Sequence, residues 1–192
     1  MSSRSELIDR TACTIVDGLQ QGEITPLDLL DAVEARIAEV DPSVNALPTL
    51  CFDRARDHAR RLMEKPAKER GRLAGMPVPI KDLVEVEGVR TTHGSPIYAD
   101  HIPTRSNILV QTLEADGGIV YAKSAVPEFG AGGNTFNEVF GATLNPWDRT
   151  RSASGSSGGA AVALATGMAW VAHGNDMGGS LRNPASFCGV VG

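Results

Sequence analysis

Long apolar runs are missing from this 192-residue chain, as are low-complexity tracts and repeats of fixed period. No stretch approaches the 18 or so apolar residues of a membrane-spanning helix, and residues 1–10 hold no apolar signal core. Basic excess is absent too. The formal net charge is −5 and no lysine follows Lys123, which argues against a nucleic-acid surface. Cysteine is sparse: Cys13, Cys51 and Cys188 are odd in number and far apart. They form neither a disulfide framework nor a CxxC metal pair, and this fits a reducing compartment. His58, His93, His101 and His173 show no metal-ligand spacing and read as structural or solvated. These absences lead us to expect a cytoplasmic protein with no metal, cofactor, nucleic-acid partner or membrane attachment.

What is present fits one globular α/β domain over residues 1–192, since apolar residues make up 42% and charged ones 21%. Thr25-Pro26 followed by Asp28 can cap and open a helix. Leu30, Val33, Ile37 and Val40 continue it at helical spacing, and Asp41-Pro42 stops it. A second helix is predicted over 51–64. Val78, Pro79 and Ile80 read as a short buried strand leading to Lys81. A helix from Ile108 is ended by Gly117-Gly118, and Ile119 to Ala122 follows as a strand. A small-residue helix is predicted over 160–166 and a buried strand over 169–172. Two glycine-serine loops flank them, at 155–159 and 174–180. The pair Asn183-Pro184 is expected to end any turn begun near Ser180.

The two loops admit three readings. A phosphate cradle would use their backbone N–H groups, but neither GxxxxGK[S/T] nor a GxGxxG after a strand is present. A nucleophile elbow matches Gly155-Ser156-Ser157-Gly158-Gly159 with Ser157 central. It requires an acid and then a histidine downstream, whereas His173 precedes Asp176. The third reading joins both loops to Lys81.

Here a family resemblance enters. Pro77-Val78-Pro79-Ile80-Lys81-Asp82, Gly141 to Trp147, Gly155 to Gly159, and Asp176-Met177-Gly178-Gly179-Ser180-Leu181-Arg182 resemble, in order and spacing, the blocks of the amidase signature family. The resemblance implies a mixed β-sheet covered by α-helices. It implies Lys81 as base, Ser156 as bridging serine after a cis peptide bond, and Ser180 as nucleophile. The backbone amides of Met177, Gly178, Gly179 and Ser180 would form the oxyanion hole, and Gly130 and Ser156 would contact substrate. Two departures stand out: Asn175 replaces the Thr or Ser of many members, and Ala153-Ser154 replaces a common Pro-Gly.

The chemistry explains the residue types. A serine is a weak nucleophile without an adjacent base. A lysine kept neutral at pH 7 in water would cost roughly 4–5 kcal/mol against its pKa of about 10.4, and burial lowers that cost. A hydroxyl between the two can accept and donate a proton. The expected activity is hydrolysis of a small-molecule amide, without metal or cofactor, through an acyl-enzyme. Family members are usually far longer and Val190-Val191 is an apolar end. The alternative expectation is therefore a truncated, inactive fragment, or an interaction subunit. Such a chain would need its missing C-terminal portion, a partner chain or a homo-oligomer.

Overall fold

The computed structural model describes residues 4–192, so positions 1–3 of the expected domain lie outside the described residues. Three helices open the chain: α1 (Arg4–Ile8), α2 (Ala12–Gln21) and α3 (Pro26–Val40). Thr11 caps α2 by accepting the Thr14 amide at 3.2 Å, and Gly22 closes it in the left-handed region at φ 73°. At α3, Thr25 and Asp28 form a reciprocal capping box, with Pro26 in the first turn.

Strand β1 (Thr49–Leu50) and helix α4 (Phe52–Met63) follow, then β2 (Pro77–Lys81), α5 (Ile108–Ala115) and β3 (Ile119–Ser124). β3 is the middle strand of a mixed three-stranded sheet, antiparallel to β1 and parallel to β2. Every residue of β2 and β3 is buried, as expected of parallel strands covered on both faces. The β2–β3 register shifts between Val78 and Ile80, at Pro79, a residue with no N–H to give to the ladder. A small hairpin, β4 (Phe136–Asn137) with β5 (Gly141–Ala142), precedes α6 (Gly158–Ala165) and α7 (Arg182–Cys188).

Helix α3 divides the core. Leu30, Val33 and Ile37 pack with α4, β3 and α6, while Leu29 and Ala32 pack with Ile15 and Leu19 of α2 and with Val78 and Ile80 of β2. Full burial of such an aliphatic side chain contributes about 1.5–3 kcal/mol. The first turn of α6 packs backbone to backbone. A Cβ on Gly159 would lie 2.3 Å from the Ala125 nitrogen and 2.5 Å from the Ala46 oxygen.

Two expectations from the sequence are overturned. Residues 169–172 form no strand. The segment beside β2 gives it a single backbone bond, from the His173 N–H to the Pro79 carbonyl at 3.0 Å, and the Tyr121 hydroxyl donates to the Met168 carbonyl at 2.5 Å. Asn183-Pro184 does not end a turn but lies in the first turn of α7, where a missing proline N–H costs no helical bond.

Candidate active site

Lys81 ends β2 with its side chain fully buried. Its backbone is held by the ring of His173, whose Nδ1 accepts the Lys81 N–H at 3.4 Å. The Nζ atom meets three oxygens: Ser156 Oγ at 2.7 Å, Ser157 Oγ at 2.8 Å and Asn175 Oδ1 at 2.6 Å. No carboxylate among the described residues bonds the amine directly.

Burial is the larger influence on this amine and brings its pKa down to about 8, with the Asp176 charge acting in the opposite sense. Deprotonation at pH 7 then costs about 1.4 kcal/mol, at 1.36 kcal/mol per unit. Burial, with the Lys81 and Lys123 charges, likewise depresses His173 to about 4, so it meets Lys81 as a neutral ring.

The hydrogen bonds give the amine a direction. Ser157 Oγ donates onward to the Asn175 carbonyl at 3.3 Å, so it accepts from Lys81. Asn175 Oδ1 has no proton to give. A neutral amine has two N–H groups and one lone pair. With the N–H groups on Ser157 and Asn175, the lone pair faces the Ser156 hydroxyl.

Ser156 is buried and follows a cis peptide bond from Gly155, as the family resemblance implies. Its neighbour Ser157 opens α6 without capping it. Its hydroxyl meets Lys81 Nζ instead.

Ser180, half-buried, lies across from Ser156. Both line one cleft of about 490 Å³, with Gly130, Asn175, Met177 and Gly178 also on its walls. No hydrogen bond joins the side chains of Ser156 and Ser180 among the described residues. The loops are tied instead by the Ser157 N–H to the Ser180 carbonyl at 3.1 Å. Gly130 adopts φ 69°, and a Cβ there would lie 3.7 Å from Ser156 Oγ and 2.6 Å from Leu83 Cδ1.

The loop before Ser180 is built around Asp176. Its carboxylate accepts the amides of Gly179 at 2.7 Å, Leu181 at 3.0 Å and Arg182 at 3.2 Å, and both forks of the Arg182 guanidinium at 3.0 and 2.9 Å. The Arg182 bonds first, then the amides, hold this carboxyl far below the usual carboxylate range. The Gly179 amide, expected in the oxyanion hole, is therefore occupied. Those of Met177, Gly178 and Ser180 have no partner within the described chain.

A second buried amine lies on β3. Lys123 Nζ donates to the Val84 carbonyl at 2.6 Å and Thr91 Oγ1 at 2.8 Å, and pairs with Asp82 at 3.4 Å. Asp82 also accepts the Thr92 hydroxyl at 2.5 Å. Asp82 thus belongs to a structural network behind Lys81.

A buried lysine set between two glycine-serine loops, with no histidine–carboxylate pair lining the cleft among the described residues, defines a lysine–serine type of site. The chain belongs to the Amidase family, whose model matches residues 28–192. It is 42% identical over 187 residues to a glutamyl-tRNA(Gln) amidotransferase subunit from Halothermothrix orenii, covering 97% of this chain and 38% of that one. The structure is similar to 6-aminohexanoate cyclic dimer hydrolase, with a TM-score of 0.87, 34% identity, and coverage of 95% of this chain and 37% of that one. A bacterial aryl acylamidase gives a TM-score of 0.83 and 32% identity over 92% of this chain and 37% of that one. The chain thus spans under two fifths of the length of each of these three relatives. Among the described residues no helix is long and apolar enough to cross a membrane.

The sequence names Lys81, Ser156, Ser180 and Gly130 through the resemblance, and the structure brings all but the buried Lys81 to the cleft wall, with Lys81 bonded to Ser156. It gave Ser157 and Asn175 no contact with the amine. Their contacts join residues 76 and 94 positions apart. The doubled serine and the departure at Asn175 were the available signals.

Proposed function

We propose that this chain carries the catalytic machinery of an amide hydrolase that cleaves the carbon–nitrogen bond of a linear carboxylic amide through an acyl-enzyme on Ser180. One observation supports this above the others: Lys81 Nζ lies 2.7 Å from Ser156 Oγ, and Ser156 shares its cleft with Ser180. Ser180 Oγ attacks the substrate carbonyl. Its proton passes to Ser156 Oγ as the Ser156 proton passes to Lys81 Nζ. The oxyanion that forms is met by the amides of Met177, Gly178 and Ser180, whose loop Asp176 holds in shape. Gly179 serves that loop by bonding Asp176. On collapse, the Lys81 ammonium returns a proton through Ser156 to the departing nitrogen. Water then repeats the sequence to release the carboxylic acid. Every step is a proton transfer or an acyl transfer, and each has a group of this chain to perform it.

The likeness to an amidotransferase subunit favours a second reading, in which the same chemistry releases ammonia from a primary amide within a larger assembly. A panel of primary and linear aryl amides separates the two. Turnover of linear aryl amides by the chain alone supports the first, and turnover of primary amides only in company with other chains supports the second.

The direct test is labelling with a fluorophosphonate. The expected adduct is on Ser180, absent from Ser180→Ala. An adduct on Ser157 would restore the elbow reading and refute this one.

A further inference from the structure

Away from the cleft floor, three side chains with metal-binding atoms converge. Glu85, His93 and His101 present a carboxylate oxygen and two ring nitrogens that all lie within 4.8 Å of one another. We propose that Glu85, His93 and His101 form a binding site for a divalent transition metal ion of the zinc type. Nothing in the amide chemistry above requires it, so the two readings stand or fall separately.

The donor set fits such an ion. Two imidazoles with one carboxylate bind zinc at about 2.0–2.2 Å per bond. In a tetrahedral site those bonds place neighbouring ligand atoms about 3.4 Å apart, and His101 Nε2 lies 3.4 Å from Glu85 Oε1. The His93 ring already stacks on His101, with centroids 6.3 Å apart and planes inclined by 27°.

The backbones beneath these side chains are fixed. The carbonyl of Val84, before Glu85, accepts from Lys123 Nζ, and the Glu85 carbonyl accepts the Asn107 amide at 3.0 Å. The His93 amide donates to the Asp82 carbonyl at 3.1 Å, and the His93 carbonyl accepts from the Phe129 amide at 2.7 Å. The His101 amide donates to the Tyr98 carbonyl at 3.0 Å, and the His101 carbonyl accepts from the Thr91 amide at 2.9 Å. His93 also takes φ 53°, in the left-handed region that histidine enters more readily than most residues. Three protein ligands leave a fourth position for water.

The site touches the cleft indirectly. Phe129, bonded through its amide to the His93 carbonyl, lines the cleft, and Tyr98 packs edge-on against both His93 and Phe129. An ion here would tie the segment 85–101 to the cleft rim.

The test is calorimetric titration of the metal-stripped chain with zinc chloride. One equivalent is expected to bind. His101→Gln and Glu85→Gln should each weaken binding at least tenfold, as should His93→Asn, chosen because Asn tolerates a positive φ. His58→Gln should leave binding unchanged. Cobalt(II) in place of zinc should give the visible absorption of a low-symmetry, four-coordinate site, lost in His101→Gln. Zinc should also slow amide hydrogen exchange at residues 93–101 and at Phe129. Absence of saturable binding would overturn the proposal, as would undiminished binding in His101→Gln.

Discussion

Lys81 Nζ lies as close to Ser157 Oγ, at 2.8 Å, as to Ser156 Oγ, at 2.7 Å. The two serines differ in what lies beyond them. Ser156 opens to the cleft shared with Ser180, whereas Ser157 donates to the Asn175 carbonyl and points away from it. In the proposed reaction Ser157 therefore orients the amine and Ser156 exchanges protons with it. Ser156→Ala is expected to lower kcat by about 10²–10⁴, the range of a lost acid–base group. Ser157→Ala should lower kcat about tenfold, equivalent to one neutral hydrogen bond of about 1–1.5 kcal/mol, while fluorophosphonate still labels Ser180. Equal losses in the two variants would contradict the assignment.

The position of Lys81 on the pH scale gives a second prediction. Only the neutral amine can take a proton, and its fraction grows as pH rises through about 8. Accordingly kcat/KM should rise tenfold per unit below that value and level off above it. Lys81→Met should remove this limb along with nearly all activity. A pH profile flat between 6 and 9 would argue that another group is the base.

Asp176 and Arg182 do no chemistry in this reading, yet the loop depends on them. Three amides and one guanidinium converge on a single carboxylate. Asp176→Ala would free the Gly179 amide and let the neighbouring amides turn. Misplacement of reacting groups by about 1 Å costs on the order of 10²-fold in rate. That loss should fall on kcat, and Arg182→Lys should show a smaller version of it, since lysine lacks the planar fork. An Asp176→Ala variant with unchanged kcat would remove the loop from the mechanism.

The buried pair on the other side of the sheet is a matter of stability. Lys123 and Asp82 are both buried; Thr91 and the Val84 carbonyl accept from the amine, and Thr92 donates to the carboxylate. Breaking a buried pair by removing one member typically costs about 3–5 kcal/mol. Lys123→Met should therefore lower the denaturant midpoint clearly, and a double variant with Asp82→Asn should recover part of the loss. Neutral behaviour of the single variant would show that water reaches the pair.

Gly159 offers a packing test. An alanine there would press a methyl group into the backbone of Ala125 and Ala46. Overpacking of this kind costs about 1–3 kcal/mol, and the displaced α6 would carry Ser156 and Ser157 with it. Thermal unfolding should fall by several degrees and labelling of Ser180 should slow.

Local chemistry made part of this molecule legible. Thr25, Pro26 and Asp28 announce the start of α3 because capping is settled within four residues. Val78 to Lys81 read as a buried strand because neither neighbouring segment competes for it. Residues 169–172 carry the same apolar signature, but the backbone groups on either side of them go to Tyr121 and Pro79 singly and build no ladder. Pro184 read as a stop because proline halts helices in their interior, and its place in a first turn depends on where α7 begins. At the site, motifs singled out the serines that the structure sets near Lys81 or on the cleft wall. They could not show that Asn175 reaches back 94 positions to the amine.

Pro79 has one more effect. An unbroken ladder continuing from Val78 opposite Val120 would set Lys81 level with Lys123, two amines side by side on one face of the sheet. The slip at the proline pairs Ile80 with Lys123 and Lys81 with Ser124 instead. Successive residues of a strand point to opposite faces, so one missing N–H sends the two amines to opposite sides. Neither then raises the cost of charging the other at close quarters. Each keeps its own surroundings, one among the serines beside the cleft and the other within the scaffold.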